Sequence, residues 1–208
     1  MKALLINGSP HKNGCTDVAL SEVEGVLKRR GVETEMLWIG NKPIAGCIAC
    51  MSCTKTGKCI RSDDKVNEII ERLDEFDAII VGSPVYYAGP AGQLTAFLDR
   101  LFFAGSNKNF AGKLGAAVVS CRRGGASAAF DRLNKYFTMN NMPVVSSQYW
   151  NQIHGFTPDD ARQDLEGLQT MRTLGENIAW LLRCIEAGRK AGIKVPLYEP
   201  TIYTNFIR

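Results

Sequence analysis

Apolar residues along the chain form two alternating patterns, which are short continuous runs and longer stretches with helical spacing. A short apolar run bounded by turn residues is typical of a buried strand, whereas apolar residues at every third or fourth position indicate a helix with one buried face. The runs predict five strands, at residues 2–6, 32–38, 78–81, 114–119 and 143–145.

Helical spacing predicts a helix after each of these strands. Gly31 ends the first helix, and Ser62 is expected to cap the second. Thr157, followed by Pro158, is expected to cap the last helix, which keeps its spacing up to Gly188. The other two helices are predicted at residues 94–102 and 130–137.

The regular alternation of strand and helix predicts an α/β fold. We expect a doubly wound, five-stranded parallel sheet with helices on both faces. A chain of 208 residues suits one compact domain. We assign residues 1–188 to this domain, with a cysteine-rich loop at residues 46–60. Residues 189–208 form a C-terminal tail that either lies at a subunit interface or packs on its own domain.

The bulk composition is that of a globular protein, with 45% apolar and 22% charged residues. The net charge of +4 favours an anionic ligand such as a phosphate but does not indicate nucleic-acid binding. No run reaches the roughly 20 apolar residues that a membrane span needs. No targeting segment is recognisable at the start, so we expect a cytoplasmic protein.

Three of the predicted strands end in loops with unusual chemistry, and ligands of open α/β sheets bind beyond the carboxyl ends of the strands. The first loop combines hydroxyls, an amide, a cation and a glycine before a helix, which are the groups that a phosphate needs. It has neither a Walker A ending nor the dinucleotide fingerprint. Taken alone, it is equally typical of a polar connection with a good helix cap. Its candidate ligand-binding residues are Ser9, His11, Lys12, Asn13, Cys15 and Thr16.

The second and third loops carry groups that suit a planar ligand. Adjacent tyrosines in the second loop could stack on a flat ring or could pack beneath the loop. Arginines and glycines in the third loop could approach a phosphate or a ring edge, or the arginines could simply be solvated. The candidate residues are Pro84, Val85, Tyr86 and Tyr87 in the second loop, and Ser120, Arg122, Arg123, Gly124 and Gly125 in the third.

Four of the seven cysteines have the spacing C-x2-C-x2-C-x5-C. In a reducing compartment such a group indicates metal binding or redox activity before disulfides. Four thiolates suit one [4Fe–4S] cluster, whereas zinc sites usually combine two separated C-x2-C pairs. A third alternative is that the cysteines are small or redox-labile residues without a metal. The four are Cys47, Cys50, Cys53 and Cys59, while Cys15, Cys121 and Cys184 are expected to be unligated.

Together these motifs resemble the NADPH-dependent FMN reductase family, and within it the iron–sulfur flavoprotein branch. The resemblance covers residues 1–145. It implies a flavodoxin-like fold with strand order 2-1-3-4-5, bound FMN and assembly as a homodimer or homotetramer. The motifs that carry it are Asn7-Gly8-Ser9-Pro10 with Asn13 and Thr16, Gly82-Ser83-Pro84-Val85-Tyr86, and the four cysteines followed by Asp63-Asp64.

The resemblance also implies roles for the three loops. The first loop would hold the FMN phosphate, the second would line the isoalloxazine ring, and the third would close its far side. His11 and Cys15 depart from the family pattern, because an arginine and a small polar residue are common at these positions. A metal site at the four cysteines would hold a [4Fe–4S] cluster.

These expectations favour an FMN-dependent oxidoreductase that passes electrons from NAD(P)H to a small acceptor such as a quinone or a flavin. The flavin carries this chemistry, so no catalytic residue is assigned, and the lone His154 is more typical of a structural residue. The alternative is an iron–sulfur flavoprotein that moves single electrons from a ferredoxin-like partner through a [4Fe–4S] cluster to FMN. A third alternative is a non-catalytic flavin-binding protein.

Aromatic residues provide candidate contacts between subunits. Phe102, Phe103 and Phe110 follow or end the third predicted helix, and the segment 198–206 lies in the tail. Aromatic residues on a helix face more often belong to the core.

Overall fold

A central sheet of parallel strands organises the chain. The computed structural model describes residues 1–106, 108 and 110–204. The strands are β1 (Lys2–Asn7), β2 (Glu33–Trp38), β3 (Ala78–Tyr86), β4 (Gly89–Pro90), β5 (Leu114–Cys121) and β6 (Gln152–His154). Five strands pair in parallel in the order β2-β1-β3-β5-β6, and β4 pairs in antiparallel fashion with the end of β3.

Helices cover both faces of this sheet, because alternate residues of each buried strand face opposite sides. The helices are α1 (Cys15–Arg29), α2 (Cys53–Thr56), α3 (Val66–Arg72), α4 (Gly92–Ala104), α5 (Ala126–Met139), α6 (Pro158–Gln163) and α7 (Leu165–Lys190). Leu4 and Ile6 of β1 belong to the core beneath α3, α4 and α5. Ala3 and Leu5 belong to the core beneath α1, α6 and α7.

The predicted fold class is confirmed, since the order of the parallel strands is 2-1-3-4-5 when the short β4 is set aside. The predicted position of the fifth strand is wrong. Val144 makes only an isolated bridge with Gly115, and the fifth parallel strand is β6. The buried Asn151 holds the chain there, because its side-chain amide donates to the Ala117 carbonyl at 3.0 Å and its backbone carbonyl accepts from the Val119 amide at 2.9 Å.

Two helix boundaries also differ from the prediction. Ser62 does not cap the second helix, because the Asp64 carboxylate accepts the bond from the Val66 amide at 3.0 Å. The long last helix is interrupted at Asp164, whose backbone leaves the helical region and whose side chain caps α7 at the Gly167 amide. The predicted cap at Thr157 is confirmed as a reciprocal capping box.

The tail and the aromatic residues give a mixed outcome for the predicted subunit contacts. Phe102 and Phe110 are buried in the core, which is the alternative that the sequence favoured for helix-face aromatic residues, whereas Phe103 is 44% exposed. The first two residues of the assigned tail, 189 and 190, still belong to α7, and residues 191–204 have no regular secondary structure and are exposed. Phe206 lies outside the described residues. No helix in the described part of the chain is long and apolar enough to cross a membrane.

Truncation of a buried side chain on β1 tests this account of the core. Leu5→Ala is expected to lower the free energy of unfolding by about 2–5 kcal/mol, because Leu5 is fully buried between sheet and helices. Leu165→Ala is the matched control, since that leucine is 75% exposed, and it should change stability by less than about 0.5 kcal/mol. Urea unfolding curves measure both, and equal losses would contradict the layer assignment.

Candidate functional site

A cleft of about 860 Å³ opens at the carboxyl ends of β1, β3 and β5. Its volume falls within the roughly 300–1,000 Å³ that is usual for small-molecule sites. The predicted residues that line it are Ser9, His11, Lys12, Asn13, Cys15, Thr16, Pro84, Val85, Tyr86, Ser120 and Arg122. Tyr87, Arg123, Gly124 and Gly125 are not among its lining residues in the described part of the chain.

Buried hydrogen bonds shape the first loop around the start of α1. The Asn7 side chain accepts from the Ser9 amide at 3.0 Å and donates to the Lys12 carbonyl at 3.1 Å. The Ser9 hydroxyl accepts from the His11 amide at 3.1 Å. These bonds curl the loop around Gly14, where an added Cβ would lie only 3.3 Å from the His11 carbonyl oxygen. Residues 9–16 therefore form a narrow loop, here called the cradle, with backbone atoms at its base.

The N-terminus of α1 opens into this cradle. Gly14 precedes the helix and provides no side-chain cap, so amide groups of the first turn are available to an anion. The Thr16 and Ser120 hydroxyls are 2.8 Å apart and join the first loop to the third. Burial raises the pKa of the Cys15 thiol, which points at the Gly155 carbonyl at 3.5 Å and stays uncharged. The cradle thus offers donors and no thiolate.

Sequence reasoning missed residues that complete the cleft. Trp38, at the end of β2, donates its indole N–H to the Ser9 carbonyl at 2.8 Å and lies 6.0 Å beneath the Lys12 ammonium. Asn41 and Phe156 also line the cleft. The position of Trp38 at the carboxyl end of a strand beside β1 was the available signal, because strand ends at this edge meet the ligand.

The second loop is a tight hairpin with strained backbone. Tyr87 and Ala88 connect β3 to β4 with φ angles of 50° and 61°, a conformation that side chains other than glycine and asparagine rarely adopt. This turn directs the Tyr86 side chain to the cleft and leaves Tyr87 fully exposed. Burial raises the pKa of the Tyr86 hydroxyl, so that group stays protonated.

The four predicted cysteines line one small pocket beside α4. All four are reduced thiols, and the hydrogen bonds from Ser52 lower the pKa of Cys50, whereas burial raises that of Cys53. No group of three or more His, Cys, Asp or Glu side chains in the described ranges is arranged to hold a single metal ion. A four-iron cluster does not need its thiolates to converge on one metal ion, because each thiolate binds a different iron.

Two arginines border the cysteine pocket. Arg100 of α4 donates from Nε to the Cys59 sulfur at 3.1 Å and pairs with the Asp64 carboxylate. Burial opposes its charge, but these two partners outweigh that effect and raise its pKa. The Nε of Arg61 is buried and has no hydrogen-bond partner within the described residues. The pocket therefore combines four sulfur atoms with a positively charged wall and one unused donor.

His154 lies at the rim of a second, open cavity that shares Arg122, Gly155 and Phe156 with the cleft. This cavity has a volume of about 660 Å³. The imidazole Nδ1 lies 3.6 Å from the Asp164 carboxylate, which also accepts a bond from the His154 amide at 2.7 Å. Since Asp164 caps α7, this histidine is tied to a structural junction, as its sequence context indicated.

Comparisons with known proteins agree with this geometry. A family model described as NADPH-dependent FMN reductase matches residues 1–156. An iron–sulfur flavoprotein of Methanocaldococcus jannaschii is 33% identical over 193 residues, which cover 89% of this chain and 100% of that protein. An iron–sulfur flavoprotein of Methanosarcina thermophila is 33% identical over 193 residues, covering 91% of this chain and 99% of that protein.

Solved structures show the same fold. A flavodoxin from the domain Archaea superposes with a TM-score of 0.59 at 20% identity, covering 88% of this chain and 99% of that one. The chain thus has a flavodoxin-like fold with a cleft at the carboxyl edge of its sheet. The chain belongs to the NADPH-dependent FMN reductase family, in the branch whose curated members are named iron–sulfur flavoproteins. The family resemblance of the motifs is confirmed.

Adjacent glycines in the third loop provide a matched test of its close packing. Gly125 has a φ of 91°, and a Cβ there would lie 2.8 Å from the Ala88 Cα in the strained turn. Gly125→Ala is therefore expected to cost about 1–3 kcal/mol of stability. Gly124→Ala is the control, because nothing lies within 4 Å of its added Cβ. Thermal unfolding measures both variants, and a similar Tm for the two would refute the packing argument.

Proposed function

We propose that the cleft binds FMN, with the phosphate in the cradle of the first loop. The amides at the start of α1, the buried hydroxyls of Ser9 and Thr16, and the Lys12 ammonium provide donors and positive charge. His11, Asn13 and Cys15 would complete the cradle wall. Hydrogen-bond donors around Gly14 suit a phosphate better than a neutral group.

The isoalloxazine ring would lie beside the second and third loops. Pro84, Val85 and Tyr86 offer apolar and aromatic surface to a flat ring. Ser120 and Arg122 border the opposite side, where the guanidinium would favour negative charge on the ring edge. The remaining candidates, Tyr87, Arg123, Gly124 and Gly125, would act by shaping these loops. When bound, FMN supplies both hydride and single-electron chemistry.

We propose further that Cys47, Cys50, Cys53 and Cys59 hold one [4Fe–4S] cluster. The observation that carries this proposal is that four thiols line one pocket with a buried, unpartnered Arg61 Nε. A cluster bound by four thiolates is anionic and its sulfurs accept hydrogen bonds, so a wall with two arginines matches its needs. The relatives named iron–sulfur flavoproteins support the same assignment.

The two sites together suit an electron-transfer flavoprotein. Asn41 lines the cleft and Gly46 lines the cysteine pocket. Five residues of chain span at most about 18 Å, so the two sites are close neighbours. We infer that a ferredoxin-like donor delivers single electrons to the cysteine pocket and that these reach FMN and then a small acceptor.

A second candidate function is the oxidation of NAD(P)H at the flavin. The open cavity beside the cleft favours it, since Arg122 provides charge and Phe156 an aromatic face for a second ligand. The reduced flavin would then pass electrons to a small acceptor such as a quinone or a free flavin. The family description names NADPH as the donor of its members.

Exposed apolar side chains surround the cysteine pocket and favour self-association. Ile48, Met51, Ile60 and Phe103 are each more than two-fifths exposed. Grouped apolar exposure of this kind is typical of an interface. We propose that the protein is a homodimer or homotetramer and that this surface contributes to the contact.

Metal analysis tests the cluster. Protein purified without oxygen is expected to show flavin absorption on a broad cluster background, with about four irons per chain. Cys53→Ser should lose most of the iron, whereas Cys184→Ser should keep it, because that cysteine lies on α7 outside the pocket. Iron and acid-labile sulfide assays provide the measurement. Flavin without iron in the wild-type protein would instead favour the NAD(P)H reaction.

Ligand binding tests the phosphate cradle. Lys12→Ala is expected to weaken FMN binding by about tenfold or more, since a hydrogen bond to a charged group contributes about 1.5–3 kcal/mol. Binding of riboflavin, which lacks the phosphate, should change little. Lys190→Ala removes an equal charge at the far end of α7 and is the control. Fluorescence titration of apoprotein measures these affinities, and an equal loss for riboflavin would refute the phosphate role.

A further inference from the structure

Arg100 is the largest side chain that the fold buries almost completely, with 1% of its surface exposed. It projects from α4 into the loop that carries the four cysteines. Beyond Cys59 and Asp64, its guanidinium donates to the Ala45 carbonyl at 3.2 Å and to the Arg61 carbonyl at 2.9 Å. One side chain therefore joins both ends of the cysteine loop to a rigid helix.

Cys59 is the cysteine that this network holds in place. Its backbone is bound twice by the Asn67 side chain, which accepts from the Cys59 amide at 2.8 Å and donates to the Cys59 carbonyl at 2.9 Å. Its sulfur accepts from Arg100 Nε at 3.1 Å. The donor is thus aimed at a sulfur whose own position is fixed, so the hydrogen bond depends on the direction of the Nε–H group.

We propose that Arg100 is a positioning residue that places Cys59 for cluster binding and raises the reduction potential of the cluster through its Nε–H···Sγ hydrogen bond. This inference rests on the proposed cluster. A hydrogen bond to a cluster sulfur stabilises the reduced state more, because that state carries more negative charge. Asp64 balances the charge of Arg100, so the directed N–H bond is the main influence.

Arg100→Lys separates direction from charge. Lysine keeps the positive charge but lacks the planar fork that reaches Cys59, Ala45 and Arg61 at once. We expect the variant to shift the equilibrium between oxidised and reduced cluster about tenfold toward the oxidised form. For a one-electron couple this corresponds to about 59 mV of lower potential. Redox titration followed by electron paramagnetic resonance measures the shift.

Arg72→Lys is the matched control. Arg72 also makes a forked carboxylate contact, with Glu35 and Glu75, but does not line the cysteine pocket. This control should keep the wild-type potential and iron content. An Arg100→Lys protein with wild-type iron and an unchanged potential would overturn the inference.

A second measurement covers the case in which Arg100→Lys fails to fold or to retain iron. Arg61 and Arg100 are the arginines that line the pocket among the described residues. In an Arg61→Lys protein whose arginines carry ¹⁵N only at Nε, pulsed paramagnetic resonance of the reduced cluster should detect one coupled ¹⁵N nucleus. The absence of that coupling would overturn the inference.

Iron content separates the two levels of the argument. Iron in the wild-type protein, with no ¹⁵N coupling in Arg61→Lys or no potential shift in Arg100→Lys, would remove the role of Arg100 and leave the cluster standing. Wild-type protein without iron would overturn the cluster itself, and with it the role of Arg100.

Discussion

Parallel pairing of β1, β3 and β5 is the constraint on which the rest of the structure depends. Parallel neighbours place all their carboxyl ends at one edge, so loops separated by more than a hundred residues meet there. The contact between the hydroxyl groups of Thr16 and Ser120 joins two of these loops directly. The sheet can form this edge because both of its faces are covered by helices and its strands are apolar on both sides.

The cysteine loop depends on a different kind of support. Between β2 and α3 the chain forms only the four-residue helix α2, so regular backbone pairing holds little of it. A buried guanidinium and the Asn67 amide replace that pairing with side-chain bonds to backbone carbonyls. Removal of either group would leave buried polar atoms unsatisfied, which is the costly case for a hydrogen bond. The loop is therefore rigid without being regular.

The cleft and the cysteine pocket also differ in the chemical groups that they offer to a ligand. The cleft is roomy and offers amides, hydroxyls and an aromatic wall. The pocket is narrow and offers sulfur atoms and cationic donors. A short piece of chain after β2 joins them, and Trp38 at its start touches both Ser9 and Lys12. The first loop of the cleft and the cysteine loop are thus parts of one continuous arrangement.

The sequence by itself determined the α/β fold class and the three loops of the cleft, because apolar periodicity and turn residues are local signals, whereas the order of the strands came from the family resemblance of its motifs. It also marked the four cysteines by their spacing. It misplaced the fifth strand, since Asn151 bonds to Ala117, which is distant in the chain. It misplaced the cap at Ser62, since the neighbouring Asp64 accepts from the Val66 amide instead. Only the tertiary structure decided that Trp38 borders the cleft, that Phe102 is core and that Arg100 reaches Cys59. These contacts depend on how helices and loops pack over the sheet, and no local pattern along the chain encodes that geometry.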